Sequence, residues 1–524
     1  MQRAQLLERL ADRTRYDLAV VGGGATGLGV ALDAAARGLS VVLLESHDFG
    51  GGTSSRATKL VHGGVRYLAQ GNLSLVREAL HERATLLRNA PHLARPLPFV
   101  MPAYHWWELP FYGAGLKAYD ALAGSSGLGR TELLGAAAAR AALPTLRADG
   151  LRGGVLYWDG QFDDARLAIA LARTAAREGA LVVNHCAVTG LLHEGGRVAG
   201  LRCADRETGR SFEIAAGCVV NATGVWVDAL RQQDGEASGR PVQPLVSPSQ
   251  GVHLVVDGEF LPGGHALIVP RTADGRVLFA VPWLGKVILG TTDTPRADLP
   301  REPDPFPEEV AFILREAGSY LARQPRLQDL RSQWVGLRPL VRPAGHEAGE
   351  TRSISREHTV QVSPSGLVTV TGGKWTTYRA MAADVLKQCG QEGLIPVVSI
   401  EVTANLQLVG APPHGARTVP LAEAPGAHLY GGEASLLQAL PGADRPLGGG
   451  LSEAMVRFAA RHEYARTVED VLARRSRLLF LDAGLARTLA APVADLLRQE
   501  TGADPGREAF LVLAARYLPG APAP

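Results

Sequence analysis

The segment from Tyr16 to Glu45 constrains the fold more than any other part of the 524-residue chain. An apolar run from Leu18 to Val21 ends at three consecutive glycines. A small-residue stretch with helical spacing follows as far as Arg37, and a second apolar run leads to Glu45. Short apolar strands on either side of a helix of this length indicate a β-α-β unit. The sequence therefore predicts an α/β fold of the Rossmann type.

The pattern Gly22-x-Gly24-x-x-Gly27 opens the predicted helix and indicates a dinucleotide-binding site. Gly22 permits a tight turn, Gly24 lets the backbone approach a pyrophosphate, and Gly27 allows the helix to pack closely on the strand. The unpaired N–H groups at the start of the helix, at Ala25 and Thr26, suit a phosphate anion.

Glu45 stands eighteen residues after Gly27, where an acidic residue is expected to bind the ribose hydroxyls of an adenosine. Three further segments favour a flavin over a nicotinamide. Asn221–Gly224 forms a small-residue turn after an apolar strand, and Gly372–Thr377 joins a strand to a helix whose amide dipoles suit a flavin ring oxygen. Thr53–Tyr67 is rich in hydroxyl groups for pyrophosphate and ribitol contacts. Together they predict a flavin fold that a substrate domain interrupts.

The composition argues against several other classes of protein. The formal charge of +2, from 54 basic and 52 acidic side chains, gives no electrostatic footprint for nucleic acid. The four cysteines form no C-x-x-C pair and no disulfide framework. Met1 to Arg15 lacks the apolar core of a secretory signal, and the uncharged stretches are too short to span a bilayer. We expect a cytoplasmic protein, and we predict no metal site.

The length predicts two or three domains. Strand patterns fill 181–223 and 252–291, whereas helical spacing predicts helices at 452–461, 468–479 and 491–500. We predict a discontinuous FAD-binding domain, a substrate-binding domain with an interleaved β-sheet, and a C-terminal helical domain. The FAD-binding domain takes 16–90, 151–235 and 350–395, the substrate-binding domain takes 91–150 and 236–349, and the helical domain takes 405–520.

Several segments resemble the FAD-dependent, quinone-linked glycerol-3-phosphate dehydrogenases. They are Gly22–Glu45, Thr53–Tyr67, Asn221–Gly224, Gly336–Leu340, Ser353–Arg356 and Gly372–Arg379. The likeness runs from about Tyr16 to Arg379 and continues more faintly into the C-terminus, where His462–Thr467 also fits. The resemblance implies an FAD-binding domain whose fold is similar to that of glutathione reductase and amino-acid oxidases. The wider class of amine- and hydroxyacid-oxidising flavoenzymes would share only this fold and the glycine pattern.

This resemblance implies oxidation of sn-glycerol 3-phosphate to dihydroxyacetone phosphate, with hydride passing from C2 to the flavin N5. It implies that the electrons go on to a membrane quinone, and that FAD is bound non-covalently although His62 lies beside Gly63 and Gly64. It also implies a peripheral, monotopic location on the inner face of the cell membrane. A homodimer is compatible with the sequence.

The resemblance assigns Arg338 and His253 to catalysis, with Arg338 stabilising a developing alkoxide and His253 acting as the base. A phosphate dianion needs several convergent cations, and the substrate-binding residues implied are Arg66, Tyr67, Arg356 and Lys374. The cofactor-binding residues implied are Gly22, Gly24, Ala25, Thr26, Gly27, Glu45, Thr53, Ser54, Ser55, Lys59, Leu60, His62, Gly63, Gly64, Ala222, Thr223, Gly224, Gly373, Lys374 and Thr376.

Three other functions remain open at this point. An oxidase would pass the flavin electrons to O₂, and no sequence motif separates it from a dehydrogenase. A flavin-dependent enzyme that modifies nucleic acid would share the glycine pattern, but the net charge of +2 disfavours it. A non-catalytic flavoprotein is disfavoured by the cations in the motif segments.

Seven of the thirty aromatic residues lie between Phe99 and Tyr119, where Glu108 and Lys117 are the only formal charges. Aromatic side chains are favoured where hydrocarbon meets lipid headgroups, and a quinone-reducing enzyme must reach a lipid-dissolved acceptor. A buried wall of the substrate domain, or a dimer contact, would show the same composition. The resemblance favours lipid contact for part of this stretch.

Overall fold

The computed structural model describes residues 3–12, 15–64, 72–273, 275–342, 357–397 and 401–520. Its strands are β1 (Tyr16–Val21), β2 (Val41–Leu44), β3 (Leu60–Val61), β4 (Ala94–Ala103), β5 (Glu132–Gly135), β6 (Gly153–Phe162), β7 (Leu181–Val183), β8 (Cys186–Glu194), β9 (Arg197–Asp205), β10 (Ser211–Asn221), β11 (Val246–Asp257), β12 (Ala266–Val269), β13 (Leu278–Trp283), β14 (Lys286–Gly290), β15 (Thr294–Pro295), β16 (Ser332–Val341), β17 (His358–Val362), β18 (Leu367–Gly372), β19 (Pro446–Gly448) and β20 (Leu451–Ser452).

Its α-helices are α1 (Arg3–Asp12), α2 (Ala25–Ala36), α3 (Leu73–Asn89), α4 (Glu108–Ala123), α5 (Ala136–Ala142), α6 (Asp164–Arg177), α7 (Val227–Ala237), α8 (Pro307–Gly318), α9 (Tyr378–Gln391), α10 (Ala434–Gln438), α11 (Glu453–His462), α12 (Leu478–Leu481), α13 (Ala483–Thr501) and α14 (Arg507–Tyr517). Short 3₁₀ helices lie at Thr53–Ser55, Gly124–Ser126, Gly224–Trp226, Gly258–Phe260, Leu327–Asp329, Trp375–Thr377, Thr403–Asn405 and Ala427–Glu433, and a π-helix at Asp470–Arg475.

The first sheet confirms the predicted Rossmann-type unit. Strands β18, β10, β1, β2 and β7 are parallel in that order, with β17 antiparallel at one edge. Strands β8 and β9 continue from β10 as an antiparallel meander. The side chains of Leu18, Ala19 and Val20 are fully buried, because helices cover both faces of a parallel sheet. The sheet therefore draws together strands from three separate stretches of the chain.

The second sheet has the order β15-β11-β14-β13-β12-β4-β6-β3, with β16 paired to β11 and β5 to β6. Along β11, Val252, Leu254 and Val256 pack in the core with helix α8. The alternating residues, including His253, lie on the other face of the strand. Strands β3 and β6 pair within this sheet although their segments were predicted to belong to the FAD-binding domain. The three-domain division stays a prediction.

The C-terminal segment is helical, as predicted, but two of its helices differ from the predicted ones. The predicted helix at 468–479 is a π-helix followed by Arg477 in the left-handed conformation, with φ of +65°, and then by α12. The predicted helix at 491–500 begins earlier, at Ala483, and contains Pro492. Proline normally marks a helix start rather than an interior, which explains the displaced prediction.

A buried carboxylate, Asp164 at the start of α6, joins the N-terminal and C-terminal parts of the fold. Its Oδ2 lies 2.7 Å from the Lys59 Nζ and its Oδ1 lies 3.1 Å from the Arg477 Nη2. The carbonyl oxygen of Ser55 accepts a second hydrogen bond from each of these cations, at 2.8 Å in both cases. All three charged side chains are fully buried. Lys59 therefore depends on Asp164 for its charge compensation, whereas Arg477 also pairs with the buried Asp163, whose Oδ1 lies 3.6 Å from its Nε.

Aromatic rings enclose this ion cluster. The Lys59 Nζ lies 5.2 Å from the ring centroids of Trp283 and Trp334 and 5.4 Å from that of Phe480. The Arg477 guanidinium lies 4.3 Å from the Phe480 centroid. Ring faces attract cations but do not replace a counterion in a site that excludes water.

We expect the substitution Asp164→Ala to destabilise the protein by about 3–5 kcal/mol, because it leaves the buried Lys59 without an ion-pair partner and Arg477 with only its longer pair to Asp163, at 3.6 Å. A urea titration followed by intrinsic fluorescence measures the loss as a lower transition midpoint. The matched control is Glu213→Ala, which removes an ion pair with Arg202 in which both side chains are more than half exposed and of little value to stability. Equal midpoints for the two variants would contradict the central role of Asp164.

Candidate active site

A cavity of about 650 Å³ opens where the carboxyl ends of β1, β2, β10 and β18 meet the face of the second sheet. This is the edge at which α/β sheets bind ligands, and the volume is that of a typical ligand pocket. The residues from the first sheet that line it include Gly22, Gly24, Glu45, Thr223 and Gly373. The cavity therefore unites the three turns that the sequence indicated.

The glycine turn between β1 and α2 has the geometry that its sequence predicts. Gly22 has a φ of +108°, and a Cβ there would lie 2.6 Å from the carbonyl oxygen of Ala222. A Cβ on Gly27 would collide with the Gly22 carbonyl, so this residue serves the packing of helix on turn and does not line the cavity. Ala25 and Thr26, at the start of α2, do line it.

Glu45 is fixed at the end of β2 by the backbone around it. Its Oε2 accepts a hydrogen bond from the Gly23 N–H at 2.7 Å, and its Oε1 accepts one from the His47 N–H at 2.9 Å. Burial, followed by Arg301 and Arg206, lowers the pKa of the adjacent His47 to about 3. A neutral imidazole and a fixed carboxylate thus lie side by side on the cavity wall.

The segment from Thr53 to Gly64 contributes residues of two kinds. Thr53, Ser54, Leu60 and His62 line the cavity. Ser55, Lys59, Gly63 and Gly64 do not, although all four were predicted to contact the cofactor. The Gly63 N–H donates to the Tyr119 hydroxyl at 2.8 Å, and a Cβ on Gly63 would collide with that side chain.

Lys59 is the clearest departure from prediction. Its side chain is fully buried against Asp164 and the rings described above, behind the cavity wall. Burial lowers the pKa of its ammonium to about 7, with Asp164 acting in the opposite direction. A direct contact of its ammonium with a cofactor is therefore not supported, and its charge acts on the cavity only through space.

The turns after β10 and β18 both reach the cavity. Ala222, Thr223 and Gly224 line it from one turn, and Gly373, Lys374 and Thr376 line it from the other. The Trp375 indole N–H donates to the Ser54 carbonyl at 2.8 Å, which fastens the second turn to the segment that begins at Thr53.

Arg338 projects from β16 into the same cavity. Its guanidinium donates to the carbonyl oxygens of Gln250, at 3.1 Å, and Thr292, at 2.8 Å. A Cβ on Gly251 would collide with this guanidinium, so the glycine in the Gly251-Val252-His253 strand provides the space that Arg338 occupies. Arg338 therefore lies beside Gly251, two residues before His253 in the same strand.

His253 lies on the cavity wall with its ring stacked on Trp334, at a centroid distance of 5.1 Å and an interplanar angle of 15°. Its Nε2 is 2.9 Å from the Thr58 Oγ1. Its pKa is lowered well below 6.5, first by burial and then by Lys59 and Arg338. The ring is therefore neutral, with one unprotonated nitrogen.

Three predicted substrate-binding residues, Arg66, Tyr67 and Arg356, lie outside the described residues. Several lining residues were not predicted from the sequence: Thr58, Trp226, Leu299 and Arg301. Leu299 and Arg301 belong to a proline-rich loop. Only its tertiary contacts show that this loop reaches the cavity. The Trp226 indole donates to the Leu299 carbonyl at 3.1 Å, and the Arg56 guanidinium donates to the Arg301 carbonyl at 2.8 Å.

The residues present fit FAD. The open start of α2 and the Gly22 turn suit a pyrophosphate, and Glu45 suits the adenosine ribose. The cavity then continues past the turns at 222–224 and 372–376 to the second sheet, where His253 and Arg338 lie. A dinucleotide lying along this path would end beside both side chains.

Comparison with known proteins agrees with this geometry. The model of the FAD dependent oxidoreductase family matches residues 17–379, and the model described as the C-terminal domain of alpha-glycerophosphate oxidase matches residues 401–508. The first match spans more than half of the chain and includes both sheets around the cavity.

Among curated relatives, the mitochondrial glycerol-3-phosphate dehydrogenase of Homo sapiens is 41% identical, over 96% of this chain and 72% of the relative. That of Arabidopsis thaliana is 40% identical, over 94% and 84%. The crystal structure of the glycerol-3-phosphate dehydrogenase from Bacillus halodurans complexed with FAD superposes with a TM-score of 0.79 at 28% identity, over 100% and 99% of the two chains. The chain therefore belongs to the FAD-dependent oxidoreductases and, within them, to the glycerol-3-phosphate dehydrogenase family.

Proposed function

We propose that this protein oxidises sn-glycerol 3-phosphate to dihydroxyacetone phosphate with FAD as the hydride acceptor, and that a membrane quinone then takes the electrons. One observation carries the proposal: a single cavity joins a dinucleotide cradle to a neutral histidine and an arginine at its far end. The relatives that match nearly the whole chain carry the name of this activity.

Each side chain at the far end has a distinct part in this proposal. Lys374 binds the phosphate of the substrate, together with Arg66, Tyr67 and Arg356 from the predicted set. His253 accepts the proton of the C2 hydroxyl, because its neutral ring has a basic nitrogen to offer. Arg338 stays protonated and stabilises the negative charge that develops on the C2 oxygen.

FAD supplies the hydride acceptor when it is bound. The residues predicted for the cofactor that line the cavity would hold it along its length, with Glu45 at the ribose and the Gly22 turn at the pyrophosphate. Ser55, Gly27 and Gly63 would support it from behind the wall, through the contacts described above.

We expect Arg338→Ala to slow flavin reduction at saturating substrate by about 10²–10³-fold, the usual loss for a donor that stabilises an oxyanion. Lys374→Ala should instead raise the substrate concentration for half-saturation about tenfold or more, because it removes one charged contact to the phosphate. Anaerobic stopped-flow reduction by glycerol 3-phosphate separates the two effects. Reduction of the Arg338→Ala flavin at the wild-type rate would refute its assignment.

We expect the FAD to be held without a covalent bond, although His62 lines the cavity. Precipitation of the purified protein with acid should release the yellow colour into the supernatant. An absorbance spectrum of pellet and supernatant measures this directly. Colour that stays in the precipitate would show a covalent flavin, and His62→Ala would then test that residue as the point of attachment.

The aromatic-rich stretch divides between core and surface. Phe99 and Tyr119 are fully buried, whereas Trp106 is 76% exposed and Phe111 is 66% exposed. Leu133 lies exposed on the neighbouring strand β5. In the described parts of the chain no helix has both the length and the hydropathy needed to cross a bilayer. We propose that this aromatic surface, Trp106, Trp107, Phe111 and Leu133, rests on the lipid at the inner face of the cell membrane.

We expect the double variant Trp106→Ser/Phe111→Ser to lose most of its co-sedimentation with liposomes while it keeps its activity with a soluble dye acceptor. Because both side chains are mostly exposed, their replacement should leave the fold intact. The matched control is Val512→Ser, which removes a side chain that is 71% exposed on helix α14. Sedimentation of the double variant at the wild-type level would contradict lipid contact by this surface.

A second candidate is an oxidase that returns the electrons to O₂. The name carried by the matching C-terminal model, alpha-glycerophosphate oxidase, favours testing it. Reoxidation of the reduced protein by a soluble quinone and by air-saturated buffer, followed at the flavin absorbance, compares the two acceptors. Fast reoxidation by O₂ with peroxide formation would show that O₂, and not a quinone, is the electron acceptor. The proposed substrate would still be glycerol 3-phosphate.

A further inference from the structure

We propose that Glu309, on helix α8, is a positioning residue for Arg338. Its carboxylate binds the side chains of Gln250 and Thr292, and the backbone carbonyls of these same two residues hold the Arg338 guanidinium. The inference rests on the proposed function, in which Arg338 stabilises the charge that develops on the substrate oxygen. It names the group that fixes the guanidinium for that purpose.

Glu309 is a buried carboxylate near the start of α8, with 4% of its surface exposed. Its Oε1 accepts hydrogen bonds from the hydroxyl groups of Thr292, at 2.8 Å, and of Thr294. Its Oε2 accepts from the Phe306 N–H at 3.1 Å and from the side-chain amide of Gln250. These four donors, together with the N-terminus of the helix, compensate the buried negative charge.

The other partners of the two side chains fix the direction of their hydrogen bonds. The amide oxygen of Gln250 accepts from the Arg296 guanidinium at 2.6 Å, so its NH₂ group faces Glu309. The Thr292 Oγ1 accepts from the Val252 N–H at 3.0 Å, which leaves its own proton for the carboxylate. Glu309 is therefore the acceptor in both contacts.

The carbonyl oxygens of Gln250 and Thr292 both accept from Arg338. The Gln250 oxygen, on β11, lies 3.1 Å from Nη1, and the Thr292 oxygen, just after β14, lies 2.8 Å from Nη2. The Thr291 Oγ1 accepts a longer bond from Nη2 at 3.2 Å, and the Asp293 Oδ1 lies 3.6 Å from Nη1. The buried carboxylate thus joins β11 to the link after β14 where both turn a carbonyl toward the same guanidinium.

The backbone alone does not fix this link. His253 pairs with Gly290, and Gln250 pairs with Thr294, so residues 291–293 face only two residues of β11. The extra residue interrupts the ladder of backbone hydrogen bonds, as in a β-bulge. Side-chain bonds to the carboxylate take the place of the missing ladder bonds and hold the carbonyl that the link turns toward the guanidinium.

The position of Arg338 matters because its side chain is able to meet a ligand. It lines the cavity and keeps 20% of its surface exposed. A charged group stabilises a transition state best when it is held in place before the reaction begins. A displacement of about 1 Å at such a group can cost about 10²-fold in rate.

The first test compares two threonines that donate to the same carboxylate oxygen. Thr292→Val and Thr294→Val each remove one hydroxyl and keep the shape of the side chain, but only Thr292 also binds Arg338 through its carbonyl. In Thr292→Val the Val252 N–H also loses its acceptor, so the link is free to move.

We expect Thr292→Val to lower the limiting rate of anaerobic flavin reduction by glycerol 3-phosphate about tenfold or more. The half-saturating concentration should change less than about threefold, because phosphate binding is not affected. Thr294→Val should stay within about twofold of the wild type in both quantities.

The second test changes the carboxylate itself. In Glu309→Gln the amide oxygen can still accept from the two N–H donors, and the NH₂ group can donate to the two hydroxyl oxygens. We expect a limiting rate within about threefold of the wild type for Glu309→Gln and one at least about tenfold lower for Glu309→Ala. Flavin content and thermal midpoint identify a variant that does not fold, and the threonine pair decides the proposal in that case.

The third test observes the guanidinium directly in crystals of the holoenzyme without substrate. In the wild type the Arg338 Nη2 should lie near 2.8 Å from the carbonyl oxygen of Thr292. In Thr292→Val the guanidinium should be displaced by about 1 Å or more. An undisplaced guanidinium in this variant would overturn the proposal.

The kinetic outcomes separate the positioning role from the proposed function. The positioning role is wrong if Thr292→Val reduces its flavin within about twofold of the wild-type rate, or if Thr294→Val is equally slow. It is also wrong if Glu309→Gln is as slow as Glu309→Ala, since the negative charge and not the hydrogen bonds would then matter. If the wild-type flavin is not reduced by glycerol 3-phosphate, the proposed function fails, and the position of Arg338 in the crystals still decides the role of Glu309.

Discussion

The fold around the cavity depends on one buried carboxylate that two cations share. Asp164 binds Lys59 from the segment behind the cofactor and Arg477 from the C-terminal helices, and both cations also bind the Ser55 carbonyl. Buried charges are tolerated only when they are paired and hydrogen-bonded. The three parts of the chain therefore fit together in one arrangement, because any displacement would separate charges in a dry, aromatic environment.

The same cluster connects structure with chemistry. Lys59 was expected at the cofactor, yet its ammonium lies behind the cavity wall, where it contributes to the low pKa of His253. Ser54, one residue before the anchored Ser55 carbonyl, accepts from the Ala25 N–H at 2.9 Å, and its carbonyl holds Trp375 at 2.8 Å. The turn at Gly22, His253 and the turn at 372–376 are thus all in contact with the same segment, Ser54–Lys59.

The sequence predicted best where local geometry decides. Gly22 is required by its own φ of +108° and Gly27 by its contact with the Gly22 carbonyl, both local features, so their spacing alone revealed the cradle. The role of Gly251 depends on Arg338, which lies 87 residues away along the chain, and no local pattern shows it. Leu299 reaches the cavity through a contact with Trp226 that only the folded chain creates. Side chains that meet across sheets and domains were therefore missed or, like Lys59, misplaced.

The hydrogen bond from Arg477 to Ser55 spans 422 residues of sequence. During synthesis the segment at Ser55 leaves the ribosome long before the residue that completes its bonding is made. At roughly 5–20 residues per second, the delay is about 20–85 s. Over that interval Lys59 and Asp164 lack their third partner, so the finished form of the wall behind the cofactor is a late event, reached only when nearly the whole chain has been translated.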